Sequence, residues 1–246
     1  MINTPIAKSH IPVLTIIIAT YNASLHIKDC LSSIVENITE PYELIIVDGN
    51  SNDNTIDIIN QFQTVHPTVI SEKDKGIYDA MNKGTKLATG EWILFLGADD
   101  RVLPSFSKVI SYLKDNKSIY YGNCVNGERR FGGRFSNYKL AKMNLCHQAI
   151  LYPQAVFKKY AFDLRYPVFA DYLLNIQCWG DRSFTKTYLD IDIAYYNMEG
   201  FSSTANDPDF KRDKSAFVKK HLGHLIYLKY RFRKFKESRR PGSRFF

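Results

Sequence analysis

Carboxylates follow two short apolar segments of this 246-residue chain. Asp48 comes directly after residues 42–47, and the pair Asp99 and Asp100 comes shortly after residues 92–96. Neighbouring carboxylates supply the hard oxygen ligands that a divalent cation prefers, and such a cation can bridge to phosphate oxygens. The pattern therefore indicates a site for a phosphorylated ligand, although an Asp-Asp pair at such a place is also typical of a plain turn or helix cap.

The elements that must position these side chains alternate along the chain. The segments at 14–19 and 42–47 have the composition of buried strands, and we predict further strands at 68–71 and 92–96. Helical apolar spacing between them predicts an α/β fold with a mostly parallel sheet covered by helices. Ligands bind outside the carboxyl ends of such strands. The polar residues expected to converge on that rim are Thr20-Tyr21-Asn22, Asp48, Lys73-Asp74-Lys75 and Asp99-Asp100.

Several classes of protein are disfavoured by what the chain lacks. Neither G-x-G-x-x-G nor G-x-x-x-x-G-K follows the first strand, which argues against a dinucleotide dehydrogenase or a P-loop enzyme. The four cysteines are scattered without metal-type spacing, so reduced thiols in a cytoplasm are the simplest interpretation. Apolar runs are too short for a spanning helix, and we expect no secretory signal.

The net charge of +8 is concentrated near the carboxyl end. Residues 211–246 hold thirteen Lys and Arg against two acids, whereas the preceding 210 residues carry a net charge of −3. A basic tail on a mildly acidic body favours an anionic surface as the partner of the tail and disfavours nucleic acid as the partner of the body.

The basic tail also has a helical apolar pattern. Its apolar and aromatic residues share one helical face, at Phe217, His221, Leu225, Leu228, Phe232 and Phe235. A basic amphipathic helix of this kind suits the interface of an anionic bilayer, and the alternative is a C-terminal helix packed on the body. We therefore predict one domain over 1–205, within which residues of about 11–105 and 106–205 form two halves, and a basic amphipathic extension over 206–246.

Four ordered blocks resemble the family 2 glycosyltransferases. They are "TIIIATYN" at 15–22, "ELIIVDGNSNDNT" at 43–55, "SEKDKGIYDAMNKG" at 71–84 and "GEWILFLGADD" at 90–100. The likeness is strongest to bacterial members that build O-antigen, capsule or exopolysaccharide. The resemblance implies the glycosyltransferase A-type fold, a UDP-sugar or related donor, dependence on Mn²⁺ or Mg²⁺, and inversion at the anomeric carbon.

The resemblance also implies roles for residues of the donor half. Ala19 and Tyr21 match positions that contact the nucleotide base, and Asp48 matches the carboxylate that recognises the base or ribose. The block that lines the nucleotide pocket contributes Asp74, Lys75 and Gly76. A plain strand-ending turn is the alternative interpretation for Asp48 and Gly49.

The metal motif of the family departs from its usual form here. The family has two aspartates with one residue between them, and Gly97 occupies the first position of this chain. Asp99 keeps the second position, which is usually the direct metal ligand, and Asp100 adjoins it. The resemblance therefore leaves open whether Asp99 holds the cation alone or together with Asp100.

The acceptor half resembles the family in two shorter blocks, "CHQAIL" at 146–151 and "FADYLLNIQ" at 169–177. Asp171 takes the position of the general base, and Ala170 stands where the family often has glutamate. His147 is expected to contact the acceptor or the diphosphate. A helix cap is the alternative role for Asp171, and a buried core histidine is the alternative for His147.

Together these features predict an inverting sugar transferase that acts at the cytoplasmic face of a membrane. Its donor would be a nucleotide sugar, and its acceptor a saccharide or a lipid-linked, polyprenyl-diphosphate-borne saccharide. A sugar-phosphate nucleotidyltransferase is one alternative, but its glycine- and arginine-rich phosphate loop is missing after the first strand. A non-enzymatic module that binds an anionic surface through the tail is the other.

Overall fold

The computed structural model describes residues 12–62, 65–197 and 206–239. Nine strands of this part of the chain form one sheet. They are β1 (Leu14–Thr20), β2 (Tyr42–Asp48), β3 (Thr68–Ser71), β4 (Trp92–Gly97), β5 (Arg101–Val102), β6 (Ser118–Asn126), β7 (Arg129–Phe131), β8 (Ile150–Pro153) and β9 (Thr185–Tyr195). The four strands predicted from the sequence are therefore all present.

Seven α-helices cover the sheet within the described residues. They are α1 (Ile27–Asn37), α2 (Thr55–Gln61), α3 (Ile77–Leu87), α4 (Asn137–Lys142), α5 (Ala170–Gly180), α6 (Pro208–Phe217) and α7 (His224–Ser238). A π-helical turn, Val218–Leu222, joins α6 to α7. Short 3₁₀ helices occur between residues 104 and 156, including His147–Ala149.

The sheet confirms the predicted α/β class. Its strand order is β3-β2-β1-β4-β8-β6-β9-β5, with β7 paired to β6. Pairing is parallel from β3 to β4 and again between β6 and β9, while β8 runs antiparallel to both of its neighbours. Every residue of β1 is buried, because apolar clusters fill both faces of the sheet.

The register aligns the carboxyl ends of the first four strands. Thr20 of β1 pairs with Asp48 of β2, and Asp48 pairs with Ser71 of β3. Ala19 of β1 pairs with Gly97, the last residue of β4. The strand ends therefore form one edge, as expected for a ligand-binding rim of a parallel sheet.

The C-terminal region forms two helices, whereas the sequence pattern predicted a single helical face from Phe217 to Phe235. The π-helical turn and Gly223, whose φ is +94°, separate α6 from α7. The two helices and the turn between them lie against the body, where they bury Phe210, Val218, Leu222 and Tyr230. The predicted domain boundary at 205 and the end of the extension at 240–246 lie outside the described residues.

None of the helices that the structure describes combines the length and the hydropathy required to span a bilayer.

Candidate active site

Asp48 is the centre of a hydrogen-bond network at the end of β2. Its carboxylate is fully buried and accepts hydrogen bonds from the Ser71 hydroxyl at 2.6 Å and the Ser51 backbone N–H at 2.9 Å. The Ser51 hydroxyl also donates to Asp48 Oδ1. The carboxylate therefore fixes the loop after β2 to the end of β3, and it holds that edge of the sheet in one arrangement.

The loop after β1 is fastened to the loop after β2. The backbone N–H of Asn22 donates to Ser51 Oγ at 2.8 Å, and the N–H of Asn52 donates to Asn22 Oδ1 at 2.9 Å. Asp53 accepts from the Ser24 backbone N–H at 3.1 Å and from the hydroxyl of Thr55, and this hydroxyl holds the pKa of Asp53 below its ordinary value. These hydrogen bonds hold the two loops in a fixed position relative to each other, next to the strand-end residues.

The side chains of Tyr21 and Asp74 both lie against Gly49. A Cβ atom built on Gly49 would be 3.3 Å from Tyr21 Cδ2 and 3.3 Å from Asp74 Oδ2. The Tyr21 side chain is 62% exposed, so a face of its ring is available for stacking on a planar group. Ala19, by contrast, is buried in the core of the sheet, one residue before the end of β1.

The Asp74-Lys75-Gly76 block lies directly before α3, and the Asp74 carboxylate is already ion-paired. The Lys83 ammonium group contacts Asp74 Oδ1 and lies 2.8 Å from Glu72 Oε1. Hydrogen bonds to these two carboxylates raise the pKa of Lys83. Lys75 is exposed, and Gly76 precedes α3 with a φ of +112°. Of this block, only Lys75 therefore offers a charge that is not committed to a salt bridge in the described residues.

The carboxylates of Asp99 and Asp100 occupy the space that a side chain at Gly97 would fill. A Cβ atom on Gly97 would be 2.8 Å from Asp99 Oδ1 and 3.1 Å from Asp100 Oδ2, so a larger residue would push these carboxylates away. Asp100 is buried, and its Oδ2 accepts the Gly97 backbone N–H at 2.7 Å. Burial raises the pKa of Asp100 to about 6, although the charge of His147 acts in the opposite direction.

The two carboxylates at Gly97 are compatible with part of a cation site. Both approach the same point, and carboxylate oxygens suit Mg²⁺ or Mn²⁺. Asp99 is partly exposed and also lines a shallow pocket with His26, Arg101 and Tyr195. Among the residues the structure describes, no group of three His, Cys, Asp or Glu side chains is placed to hold a metal. The remaining ligands would have to come from a bound diphosphate and water, as in many Mg²⁺ sites.

Asp171 lies in the first turn of α5 and is held by three side chains. Its Oδ1 is 3.0 Å from the Tyr78 hydroxyl, and its Oδ2 accepts from Asn144 Nδ2 at 2.9 Å. Oδ2 is also 3.3 Å from His147 Nδ1. The carboxylate is buried, so these polar contacts compensate for the loss of water and fix its orientation.

His147 contacts Asp171, and its charge also interacts with that of Asp100. Burial alone lowers the pKa of His147, but the hydrogen bond and charge of Asp171, together with the charge of Asp100, raise it overall. The side chain of the neighbouring Gln148 lowers the pKa of Asp100. His147 Nε2 and Thr20 Oγ1 are buried and have no hydrogen-bond partner among the described residues. These two atoms remain available for polar groups of a ligand.

The structure thus brings most of the expected residues to one edge. Tyr21, Asp48, Asp74 and Asp99 lie at or just beyond adjoining strand ends, and His147 contacts Asp171. The sequence interpretation missed three groups of supporting residues, which are Ser51 and Ser71 around Asp48, Tyr78 on α3, and Asn144 after α4.

One weak signal could have revealed Asn144. Asn175 is a fully buried polar residue in an otherwise apolar stretch of α5, and it needs a partner there. Its Nδ2 donates to Asn144 Oδ1 at 3.0 Å, and its own Oδ1 accepts from the Tyr152 hydroxyl at 2.7 Å. A hydrogen-bond chain therefore runs from the interior of α5 to the Asp171 carboxylate.

The α/β sheet, with carboxylates at its strand ends, has the architecture of the glycosyltransferase A-type fold. Residues 15–170 match the family model described as Glycosyl transferase family 2. Since this match covers more than half of the 246 residues, the chain belongs to glycosyl transferase family 2. That membership favours a transferase over the two alternatives that the sequence left open.

Curated relatives are similar over most of the chain. A "PGL/p-HBAD biosynthesis glycosyltransferase" of Mycobacterium bovis (strain BCG / Pasteur 1173P2) is 36% identical over 211 residues, which cover 81% of this chain and 82% of the relative. A poly(ribitol-phosphate) beta-glucosyltransferase of Bacillus spizizenii is 32% identical over 112 residues, which cover 43% of this chain and 18% of that protein.

Solved structures share the fold at low sequence identity. S. aureus TarS 1-349 in complex with UDP-GlcNAc has a TM-score of 0.72 at 19% identity, covering 93% of this chain and 74% of that one. The mannosyltransferase PcManGT from Pyrobaculum calidifontis, in complex with GDP-Man and Mn2+, has a TM-score of 0.63 at 16% identity, covering 96% and 77%. At this level of sequence identity, the two comparisons show that the fold is shared.

Proposed function

We propose that this protein is an inverting glycosyltransferase that moves a sugar from a UDP-sugar to a lipid-linked saccharide in bacterial surface polysaccharide synthesis. The observation that carries the proposal is the buried Asp171 carboxylate, which the side chains of Tyr78, Asn144 and His147 orient. A base and a diphosphate site are the two groups that direct displacement at an anomeric carbon requires.

The donor nucleotide is assigned to the edge formed by β1, β2 and β3. The exposed ring of Tyr21 would stack on the base, and the buried Asp48 would recognise the base or ribose beside it. Ala19 would contribute backbone at the base, and the pocket wall would come from Asp74, Lys75 and Gly76. A neighbour solved with UDP-GlcNAc supports a UDP-sugar as donor.

The donor diphosphate is assigned to Asp99 and Asp100 through Mn²⁺ or Mg²⁺. The two carboxylates would hold the cation beside Gly97, where the missing side chain leaves room for both of them. A bound cation would neutralise the charge that develops on the departing diphosphate. The structural neighbour solved with GDP-Man and Mn2+ supports this part of the proposal.

Asp171 is the proposed general base. Its three hydrogen-bonding partners fix the direction from which it receives the proton of the acceptor hydroxyl. Attack by that hydroxyl from the side opposite the diphosphate inverts the anomeric configuration. His147 would contact the acceptor or the diphosphate through Nε2, which has no partner among the described residues.

The proposed acceptor is a saccharide carried on a polyprenyl diphosphate, at the cytoplasmic face of the membrane. The strongly basic segment from residue 211 onward supports contact with an anionic surface. The relative named for poly(ribitol-phosphate) glucosylation supports a role in making a surface polymer.

The test is a donor screen with purified full-length protein, Mn²⁺ and a panel of nucleotide sugars, read by release of nucleoside diphosphate. We expect turnover with a UDP-sugar, an inverted product by NMR, and loss of transfer by about 10²–10⁴-fold in Asp171→Asn. Asp209→Asn, at an exposed carboxylate of α6, is the matched control and should transfer normally. Full transfer by Asp171→Asn would overturn the assignment of the base.

A further inference from the structure

The outward side of α7 carries a row of exposed apolar side chains. Leu225, Leu228, Phe232 and Phe235 are 75%, 50%, 72% and 54% exposed, respectively. Their spacing of three or four residues puts them on one side of the helix. We call these four residues the apolar row. Four large apolar side chains next to one another in water indicate a binding surface.

The opposite side of the same helix is packed against the protein. Tyr230 is fully buried there, Glu237 is buried, and Ile226 is half-buried. The side that attaches α7 to the body is therefore different from the apolar row. Packing on the body, which was the alternative to a membrane role, consequently leaves the row free for another contact.

Cations flank the apolar row. Helical geometry places Lys229 and Lys236 along one border and Arg231 along the other, and all three are exposed. The Arg239 guanidinium lies 4.0 Å from the centre of the Phe235 ring. The single acid of α7, Glu237, is buried and ion-paired to Arg233 at 2.5 Å. An apolar stripe bordered by positive charge complements the headgroup region of an anionic bilayer.

We propose that the apolar row docks α7 flat on an anionic lipid surface and thereby holds the acceptor side of the active site at that surface. The helix packs on α4, and the segment that follows α4 carries Asn144, which contacts Asp171. The membrane contact rests on the exposed row and on the cations that flank it. The purpose given to it, access to a lipid-linked acceptor, rests on the proposed function.

Two other occupants fit the surface less well. In a second copy of this chain, the same cations would face one another across a two-fold interface, which like-charge repulsion disfavours. A nucleic acid would match the cations but would leave four apolar side chains without a partner. A bilayer interface satisfies both the charge and the apolar side chains.

The first experiment is sedimentation of the full chain with vesicles of phosphatidylcholine alone or mixed with phosphatidylglycerol. We expect binding to the anionic vesicles and at least a tenfold loss in the double variant Leu228→Ser, Phe232→Ser. The matched control is Leu25→Ser with Tyr112→Ser, which removes exposed apolar side chains outside α7 and should not change binding. Undiminished sedimentation of the double α7 variant would refute the docking surface.

A second pair of variants tests the charge. Lys229→Gln with Lys236→Gln should weaken binding by about fivefold per charge, whereas Lys114→Gln with Lys117→Gln, at exposed lysines outside α7, should have little effect. Equal binding of the wild-type protein to neutral and anionic vesicles would overturn the assignment of an anionic surface. The same variants report on folding through their thermal melting, which should stay unchanged because every altered side chain is exposed.

Release of nucleoside diphosphate with a water-soluble acceptor separates this inference from the proposed function. Loss of vesicle binding by the α7 variants, with normal release, supports the docking surface. Absence of release from the wild-type protein with every donor would refute the proposed function and leave the vesicle result standing. A concentration-dependent dimer in analytical ultracentrifugation that the row variants abolish, without any vesicle binding, would assign the surface to a second copy instead.

Discussion

The donor edge, at the ends of β1 to β4, and the helical side, built from α4 to α7, hold their functional side chains in different ways. At the donor edge the strand register brings the residues together, since Thr20, Asp48 and Ser71 occupy paired positions. On the helical side Asp171 is positioned by side chains from distant parts of the chain. One of them, Tyr78, lies 93 residues earlier.

Because of this difference, we expect mutations in the two regions to have different effects on ligand binding and on stability. Exposed residues of the donor edge, such as Tyr21, take little part in the core, so changing them should alter ligand binding with little change in folding. The helical side buries polar and charged groups, including Asp171, Asn175 and Lys214. Changes there should alter the free energy of unfolding as well.

The largest effect at the donor edge is expected from Gly97→Ala. The added Cβ would stand 2.8 Å from Asp99 Oδ1 and must displace that carboxylate, so transfer should fall by about 100-fold. A titration of activity with Mn²⁺ should show a higher half-saturating concentration than in the wild-type protein. Unchanged transfer and an unchanged Mn²⁺ requirement would show that the space at Gly97 does not serve a cation.

A smaller effect is expected from Tyr21→Ala. Loss of the exposed ring removes a stacking surface for the base, so KM for the UDP-sugar should rise about tenfold with kcat nearly unchanged. Tyr21→Phe keeps the ring and is the matched control, with a KM close to that of the wild-type protein. If both variants raised KM equally, the hydroxyl group rather than the ring face would be the contact.

Lys214→Met should leave transfer unaltered and change stability only. Lys214 is 1% exposed, and burial lowers its pKa to about 7, from 10.5 outside the fold. Between these two values the unfolded chain binds more protons than the folded protein, so the contribution of Lys214 to stability rises as the pH rises through this range. Met at this position has no charge to desolvate.

Below pH 7 the free energy of unfolding of Lys214→Met should therefore exceed that of the wild-type protein by about 2 kcal/mol. This difference should shrink toward pH 10. The ring of Tyr172, centred 4.4 Å from Nζ, keeps the advantage below the full cost of burying a charge. Urea unfolding at pH 6.5 and 9.5 measures it, with Lys220→Met at an exposed site as the control. A constant difference between variant and wild type at both pH values would contradict the prediction.

The donor half could be predicted from local sequence because each strand carries its functional residue at its own end. The apolar composition of β1, β2 and β4 set their positions, and parallel pairing then fixed which ends meet. The motif departure at Gly97 was visible in the sequence, but its consequence was not. The structure showed that both neighbouring carboxylates occupy the space that a side chain would fill.

In the C-terminal tail, sequence periodicity was not sufficient to predict which side of the helix packs on the body. The same helical pattern fits a helix packed through its apolar face and a helix that exposes it, because periodicity identifies a face without naming its partner. In the structure α7 packs through Tyr230 and Glu237, and the residues that formed the predicted face beyond Gly223 remain exposed. The break at Gly223 likewise separates residues that the spacing had joined.

The sequence by itself determined the α/β class, the family and the strand-end carboxylates, because these follow from local composition and from the order of short motifs. Only the tertiary structure decided which groups surround Asp171 and which side of α7 is free. Those features depend on contacts between residues far apart in the chain, such as Tyr78, Asn144 and His147 around one carboxylate. These contacts form because the whole fold must bury its apolar groups and satisfy its buried hydrogen-bonding groups. No local sequence pattern specifies which distant residues meet.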